Sequence, residues 1–232
     1  MKKISKVNVE KAIERRKNIY NDVAANLETI EKIHISMGNS KMGPIPSFSV
    51  IPFLTCTNCN HCSKYCYAAK GNFNFPRNVN ALAENTVLVE KNVKFVENEI
   101  NKFLNCSTII YKYFRWNVAG DIAGKVEKNY FDMIIRVAKK NTFTRFLLFT
   151  KNYRLINDFI KRGNKIPENL SVVFSQWDNF TFENPYNLPI AIVKIDENTI
   201  IPENAFHCSG DCANCLNCWN AKTGDIRYFD LH

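Results

Sequence analysis

Eight of the nine cysteines fall into two short runs: Cys56, Cys59, Cys62 and Cys66, then Cys208, Cys212, Cys215 and Cys218 near the end of the chain. Four thiols within eleven residues can face one centre only if each run curls into a tight loop. The first run reads C-x2-C-x2-C-x3-C and the second C-x3-C-x2-C-x2-C, so each spacing is the other reversed. Thiolates are soft ligands suited to zinc and to iron–sulfur clusters. Structural zinc usually takes two C-x2-C pairs from separated segments, whereas three cysteines at successive x2 intervals with a fourth after x3 is the run of bacterial ferredoxins. The first run follows that pattern, with Tyr67 where the ferredoxin run has a proline. All eight cysteines are expected metal ligands holding one or two 4Fe–4S clusters. Zinc is the alternative metal, for which Cys59 and Cys62 with Cys215 and Cys218 would form a two-pair site.

Disulfides fit this chain less well. Residues 1–17 are charged and lack the apolar core of a secretory signal, so a reducing cytoplasmic location is expected, where thiols stay available for metal. At 232 residues and 46% hydrophobic content the chain can bury a substantial core. No apolar stretch approaches the ~20 residues that cross a bilayer, so no membrane partner is expected. The formal charge of +9 is compatible with nucleic acid or another polyanion. The densest basic stretch, residues 136–165, holds nine Lys or Arg against the single acid Asp158, but much of it sits where helices should end and cations favour the helix dipole. The pattern carries no signal of oligomeric state.

Periodicity predicts an amphipathic helix over residues 9–33, then a break at 38–46 rich in glycine and proline. A short strand at 47–53 feeds into the cysteine loop. A long helix over 78–104, a strand at 108–116, a helix at 126–140, a strand at 143–149, a helix at 153–161 and strands at 170–176 and 189–195 follow. This alternation predicts an α/β fold of parallel strands with right-handed crossovers, either an open sheet or a partial (β/α) barrel. The expected divisions are an N-terminal helical extension (1–38), a (β/α) core with the first cysteine loop (39–200) and a C-terminal cysteine-rich segment (201–232).

In such sheets functional groups gather at the carboxyl ends of strands. Asp121, Lys151 and Gln176 lie just past predicted strands and are the candidate catalytic residues, with Asp196 at another strand end. His61 and His207 flank the cysteine runs as supporting or exposed imidazoles, and Cys106 reads as a small buried hydrophobe. Phe48, Phe53, Tyr67, Phe73 and Phe75 would shield a cluster from water.

The segment from Gly38-Asn39-Ser40-Lys41-Met42-Gly43-Pro44 through Val50, the run closing in Cys66-Tyr67-Ala68, then Phe73-Asn74-Phe75-Pro76, Val118-Ala119-Gly120-Asp121, Phe149-Thr150-Lys151 and Cys218-Trp219 resemble the phage-borne gene product 88 family. That resemblance, from about residue 39 to 219, implies a phage or prophage protein acting in a bacterial cytoplasm. A more distant likeness is to radical S-adenosylmethionine enzymes, in which a cluster loop follows the first strand of a partial (β/α) barrel and a glycine-rich acidic turn follows the second. Residues 56–66 and Gly120-Asp121 take those places. The likeness implies S-adenosylmethionine as a cofactor, with Tyr67, Gly120 and Asp121 as its binding residues, and a small-molecule or macromolecular substrate. The chain departs from that family's C-x3-C-x2-C spacing at the first loop, while the spacing itself occurs at Cys208, Cys212 and Cys215. Four thiolates on one cluster leave no open iron, so the likeness also requires one spare cysteine in the first run.

Overall fold

The structure, a computed structural model, describes residues 4–106 and 109–231; the start of the strand expected at 108 and the first three residues of the charged N-terminus lie outside the described residues. The first helix, α1 (Lys6–Ala25), is started by Ser5, whose hydroxyl accepts from the Asn8 amide at 3.3 Å. It stops short of the predicted end because Asn26 leaves helical geometry. A single turn at Leu27–Thr29 follows. Two very short strands come next, β1 (Ile35–Ser36) and β2 (Ser47–Phe48). The single long helix expected over 78–104 is two helices, α2 (Pro76–Lys91) and α3 (Val93–Leu104). Asn92 breaks the run, and its side chain caps α3 by accepting from the Phe95 amide at 3.3 Å.

Alternation then proceeds through β3 (Tyr113–Trp116), α4 (Glu127–Lys140), β4 (Arg145–Thr150), α5 (Tyr153–Lys161), β5 (Leu170–Gln176) and β6 (Ile190–Lys194). The cysteine-rich end contributes β7 (Phe206–His207), the one-turn helix α6 (Cys212–Cys215) and β8 (Ile226–Asp230). These build one eight-stranded sheet in the order β1-β2-β3-β4-β5-β6-β8-β7. Among the named strands of the described residues, β1 against β2 is antiparallel and the other pairings are parallel. The architecture is mixed α/β with a mostly parallel sheet, and the last segment completes the sheet rather than hanging from it.

Side-chain alternation along the strands sorts the two faces. Phe114, Trp116, Phe146, Leu148, Val172 and Phe174 point to the face covered by helices, where they pack with Ile100, Tyr130, Ile134 and Ile156. Burying a Phe side chain such as Phe48, Phe114 or Phe146, each fully buried, contributes about 1.5–3 kcal/mol before entropy. The opposite face carries Leu147, Val173 and Ala191, packed with Met42, Ile45 and Trp219. The sheet is strongly curled toward this second face. The rings of Phe149 on β4 and Phe229 on β8 meet at 6.0 Å although β5 and β6 lie between them. In a flat sheet three strand spacings would hold them about 14 Å apart.

The N-terminal helix is tied in by Arg16, which is fully buried. Its guanidinium donates to the carbonyls of Ala68 (2.7 Å) and Phe73 (3.3 Å) and to Asn74 Oδ1 (2.9 Å), just after the first cysteine run. Among the described residues no helix is long and apolar enough to cross a membrane.

Candidate functional site

The first cysteine run leaves the carboxyl end of β2 as a chain of single 3-10 turns at Cys59–His61, Ser63–Tyr65, Tyr67–Ala69 and Gly71–Asn74. A three-residue repeat brings i and i+3 onto one side, so the spacing of Cys56, Cys59 and Cys62 suits this backbone. The Phe53 amide donates to Cys56 Sγ at 3.3 Å, and Asn58 Nδ2 donates to the Lys151 carbonyl at 2.9 Å, pinning the loop to the end of β4. The thiols of this run act on one another. Cys62 is pulled down to about 6, chiefly by interaction with the Cys59 thiol and against burial, with Lys151 assisting. Cys56 is also lowered, again chiefly by Cys59. Cys59, between the two, is raised. Cys66 is pushed up to about 11, mainly by burial and then by the charges of Cys62 and Cys56, with the Ala68 amide and Lys151 opposing. Burial opposes the charge on Lys151, but Cys62, Asp121 and Cys56 outweigh it and raise the amine's pKa.

Asp121, 2% exposed, is held from three sides. Its Oδ1 accepts from Thr150 Oγ1 (2.6 Å) and the Ile122 amide (2.8 Å), and its Oδ2 accepts from the Lys151 amide (2.8 Å). Its own amide donates to Thr55 Oγ1 at 3.3 Å. The carboxylate thus knots together the turn after β3, the end of β4 and the entry to the cysteine loop. Gly120 makes that approach feasible. With φ +77° it sits in the left-handed region, and a Cβ there would lie 2.5 Å from the Val50 carbonyl oxygen and 2.8 Å from Thr55 Oγ1. Tyr67 donates its hydroxyl to the Val118 carbonyl, tethering the far end of the run to the same turn.

The second run is anchored from two directions. The Cys208 amide donates to the Tyr228 carbonyl (2.9 Å), extending the β7–β8 pairing, and the Cys212 amide donates to the Lys41 carbonyl (3.0 Å). Gly43 packs so tightly that a Cβ would stand 2.8 Å from Ala213 Cβ. Leu216, at φ +53°, reverses the chain, and Trp219 Nε1 then donates to the Phe114 carbonyl at 3.0 Å. This lays the segment across the inward face of the sheet. Cys218 is pushed up to about 12 by burial, with Arg227 opposing and Cys208 reinforcing. Burial also raises Cys212, against Arg115 and with Cys208 and Cys215.

Both runs open on one cavity of about 1350 Å³. Cys56, Cys59, Cys62 and Cys66 of the first run line it, together with Cys208, Cys212 and Cys218 of the second. Arg115, Phe149 and Val193 are also part of its wall. The eight run cysteines are free thiols. Among the described residues no three His, Cys, Asp or Glu side chains are drawn together as closely as a single metal ion requires. A family model described as gene product 88 matches residues 13–221. The chain belongs to the gene product 88 family. No curated protein and no solved structure matches it.

The family match reaches into α1, beyond the stretch from residue 39 that carries the resemblance in the sequence. In this gene product 88 chain, Asp121, Gly120, Lys151 and Tyr67 come together at the first cysteine loop and all line the cavity. Gln176 does not line it; its neighbours Ser175 and Trp177 do. Of the expected shielding aromatics, Tyr67 and Phe73 line the cavity, Phe48 is buried in the helix-side core, and Phe75 is 59% exposed. Cys106 is exposed, not buried, because it follows the end of α3 at Asn105. His61 packs on Phe180 at 4.2 Å, and His207 pairs with Asp230 at 2.7 Å and stacks on Tyr228. Asp196 is exposed, in a turn closed on the Asn198 amide. Sequence reasoning missed Arg115, whose signal was a lone cation inside the aromatic strand Tyr113–Trp116.

Proposed function

We propose that this chain is a phage-type iron–sulfur protein of the bacterial host cytoplasm, and that it works as a radical S-adenosylmethionine-like enzyme on a substrate held between two cysteine-ligated sites. The observation that carries the reading is that both runs, far apart in sequence, open on a single cavity on the inward face of the curled sheet. Parallel strands β2 to β6 follow one another in space in chain order, as strands do in a (β/α) barrel, although among the described residues no helix joins β5 to β6. Counted from β2, where the parallel strands begin, the first cysteine loop follows the first strand and the Gly120-Asp121 turn the second, in keeping with the likeness.

The donors suit such a group: soft, unbridged thiols on tight turns beside a cavity. Cys56 and Cys62, each acting on Cys59, would hold the first cluster together with it, leaving Cys66 spare; the C-terminal four would hold the second. When bound, a 4Fe–4S cluster with one open iron supplies an anchoring point for S-adenosylmethionine and the electron for its cleavage. The chain's own residues do the positioning. Lys151 places a cation against Cys62 and Cys56, offsetting thiolate charge. Asp121, with its oxygens occupied, ties the turn after β3 and the end of β4 to the entry of the loop rather than moving protons. Tyr67 and Phe73, packed edge to face at 5.8 Å, cover one wall.

The test is incubation of anaerobically purified full-length protein with S-adenosylmethionine and a strong reductant. The expected product is 5′-deoxyadenosine. Iron and sulfide in place without that product would instead favour a non-enzymatic iron–sulfur protein binding a nucleic-acid or protein partner. Among single variants, Cys66→Ala should retain iron at the first site while Cys56→Ala, Cys59→Ala and Cys62→Ala lose it. Equal loss in all four would sink the open-iron arrangement.

A further inference from the structure

The cavity wall is electrically lopsided. Five cations line it, Lys32, Lys41, Arg77, Arg115 and Lys151, against three acids. Each acid is already engaged: Glu84 with His34, Asp230 with His207, and Asp121 with Thr150 and the Lys151 amide. None of the five cations forms an ion pair with a carboxylate among the described residues. Arg115 stands over the Phe149 ring at 5.1 Å, and its buried Nε lacks a hydrogen-bond partner. A guanidinium placed over an aromatic ring with an unused donor is suited to an oxyanion.

Lys151 stands near the thiols of the first run and answers part of their charge. Lys32, Lys41, Arg77 and Arg115 remain, contributed by the chain before β1, the β1–β2 connection, the first turn of α2 and β3. At the wall beside the first cysteine run, Tyr65 and Trp177 present rings only 18° from parallel, 6.5 Å apart, and both line the cavity. Cations for phosphate and aromatic faces for a base are the two halves of nucleotide recognition.

We propose that the cavity takes a nucleotide as its ligand, with phosphate on Lys32, Lys41, Arg77 and Arg115 and the base against the Tyr65–Trp177 pair. The assignment rests on the function proposed above only for what becomes of the ligand once bound. At about 1350 Å³ the space exceeds the ~300–1,000 Å³ of ordinary ligand pockets, leaving room for a nucleotide beside a cluster. The source is either a free nucleotide or an unpaired stretch of a nucleic-acid strand.

The experiment is fluorescence anisotropy on anaerobically purified full-length protein, with iron and sulfide measured on the same sample. The probes are a labelled nucleoside triphosphate and labelled single-stranded DNA and RNA oligonucleotides, with inorganic triphosphate as competitor. At least one labelled probe should bind, and which one identifies the source. If a strand binds, Lys32→Ala with Arg77→Ala should reduce the salt slope by about two, about one for each phosphate no longer neutralised. Trp177→Ala should weaken binding about 5- to 150-fold, with Trp177→Phe close to the parent. No binding by a sample with full iron and sulfide would overturn the nucleotide assignment and leave the iron–sulfur reading standing. Full displacement by inorganic triphosphate together with an unaffected Trp177→Ala would also overturn it, because no base is then recognised. Binding by a sample devoid of sulfide would uphold the nucleotide site and count against the iron–sulfur reading alone.

Discussion

Asp121 lies beside the cysteine loop, yet its oxygens already accept three hydrogen bonds. In Asp121→Asn the amide group would face either the Lys151 N–H or the Thr150 hydroxyl and lose a charge-assisted bond. We expect a loss of about 1.5–3 kcal/mol in urea unfolding. Unchanged stability in that variant would show that the carboxylate is not a structural knot. Gly120→Ala should cost about 2–4 kcal/mol, combining left-handed strain with the contact at 2.5 Å to the Val50 carbonyl. Both residues were legible in the sequence as an acidic turn after a strand, but their role as a clamp was not, because the partners Thr55 and Thr150 are distant in the chain. Gln176 illustrates another limit. A strand's period of two aims neighbours at opposite faces, and a sequence does not say at which residue the last inward position falls.

Elements with a strong period and their own caps were read closely. The helix α5 was expected at 153–161 and lies at Tyr153–Lys161, its start fixed by Asn152 accepting from the Leu155 amide at 3.3 Å. The strands β1 and β7, two residues each, are too short to carry a periodic signal, and the strand expected at 47–53 is confined to Ser47–Phe48, β2. In β8 the most buried position is Arg227, so Ile226–Asp230 carries no apolar alternation to mark it as a strand. Between α3 and α4, Glu97, with its side chain 8% exposed, accepts from Arg136 Nη2 at 2.9 Å and Lys94 Nζ at 3.3 Å. Burial alone would raise this carboxyl's pKa, but Arg136 and Lys94 outweigh it and hold it below the ordinary value. A depressed folded-state pKa gives stability that is present above the unfolded value of about 4.3 and is lost as pH falls through the folded-state value. Because Arg136 is 48% exposed, solvent screens the pair, and Arg136→Leu should cost only about 1–2 kcal/mol at neutral pH. The same variant should flatten the acid-side fall in urea midpoint, over a window from about pH 5 to about pH 3. An unaltered acid limb would mean that Glu97 is not the group responsible.

At the scale of the whole molecule, the chain's two ends close around the site. Arg16 grips the segment after the first cysteine run, and Trp219, 3% exposed, pins the second run across the inward face. Neither residue was legible from pattern: an arginine in a charged helix reads as surface, and a tryptophan beside a cysteine reads as loop. Trp219→Ala should cost about 3–5 kcal/mol. If each run holds a cluster, that variant should also keep iron at the first site while losing it at the second, roughly halving the total. The central claim, that the two runs hold iron–sulfur clusters facing one cavity, is tested most directly by iron, acid-labile sulfide and zinc per chain after strictly anaerobic purification. The account predicts iron and sulfide near about eight each, with little zinc. Zinc without sulfide would contradict it and leave a zinc-stabilised protein with no radical chemistry.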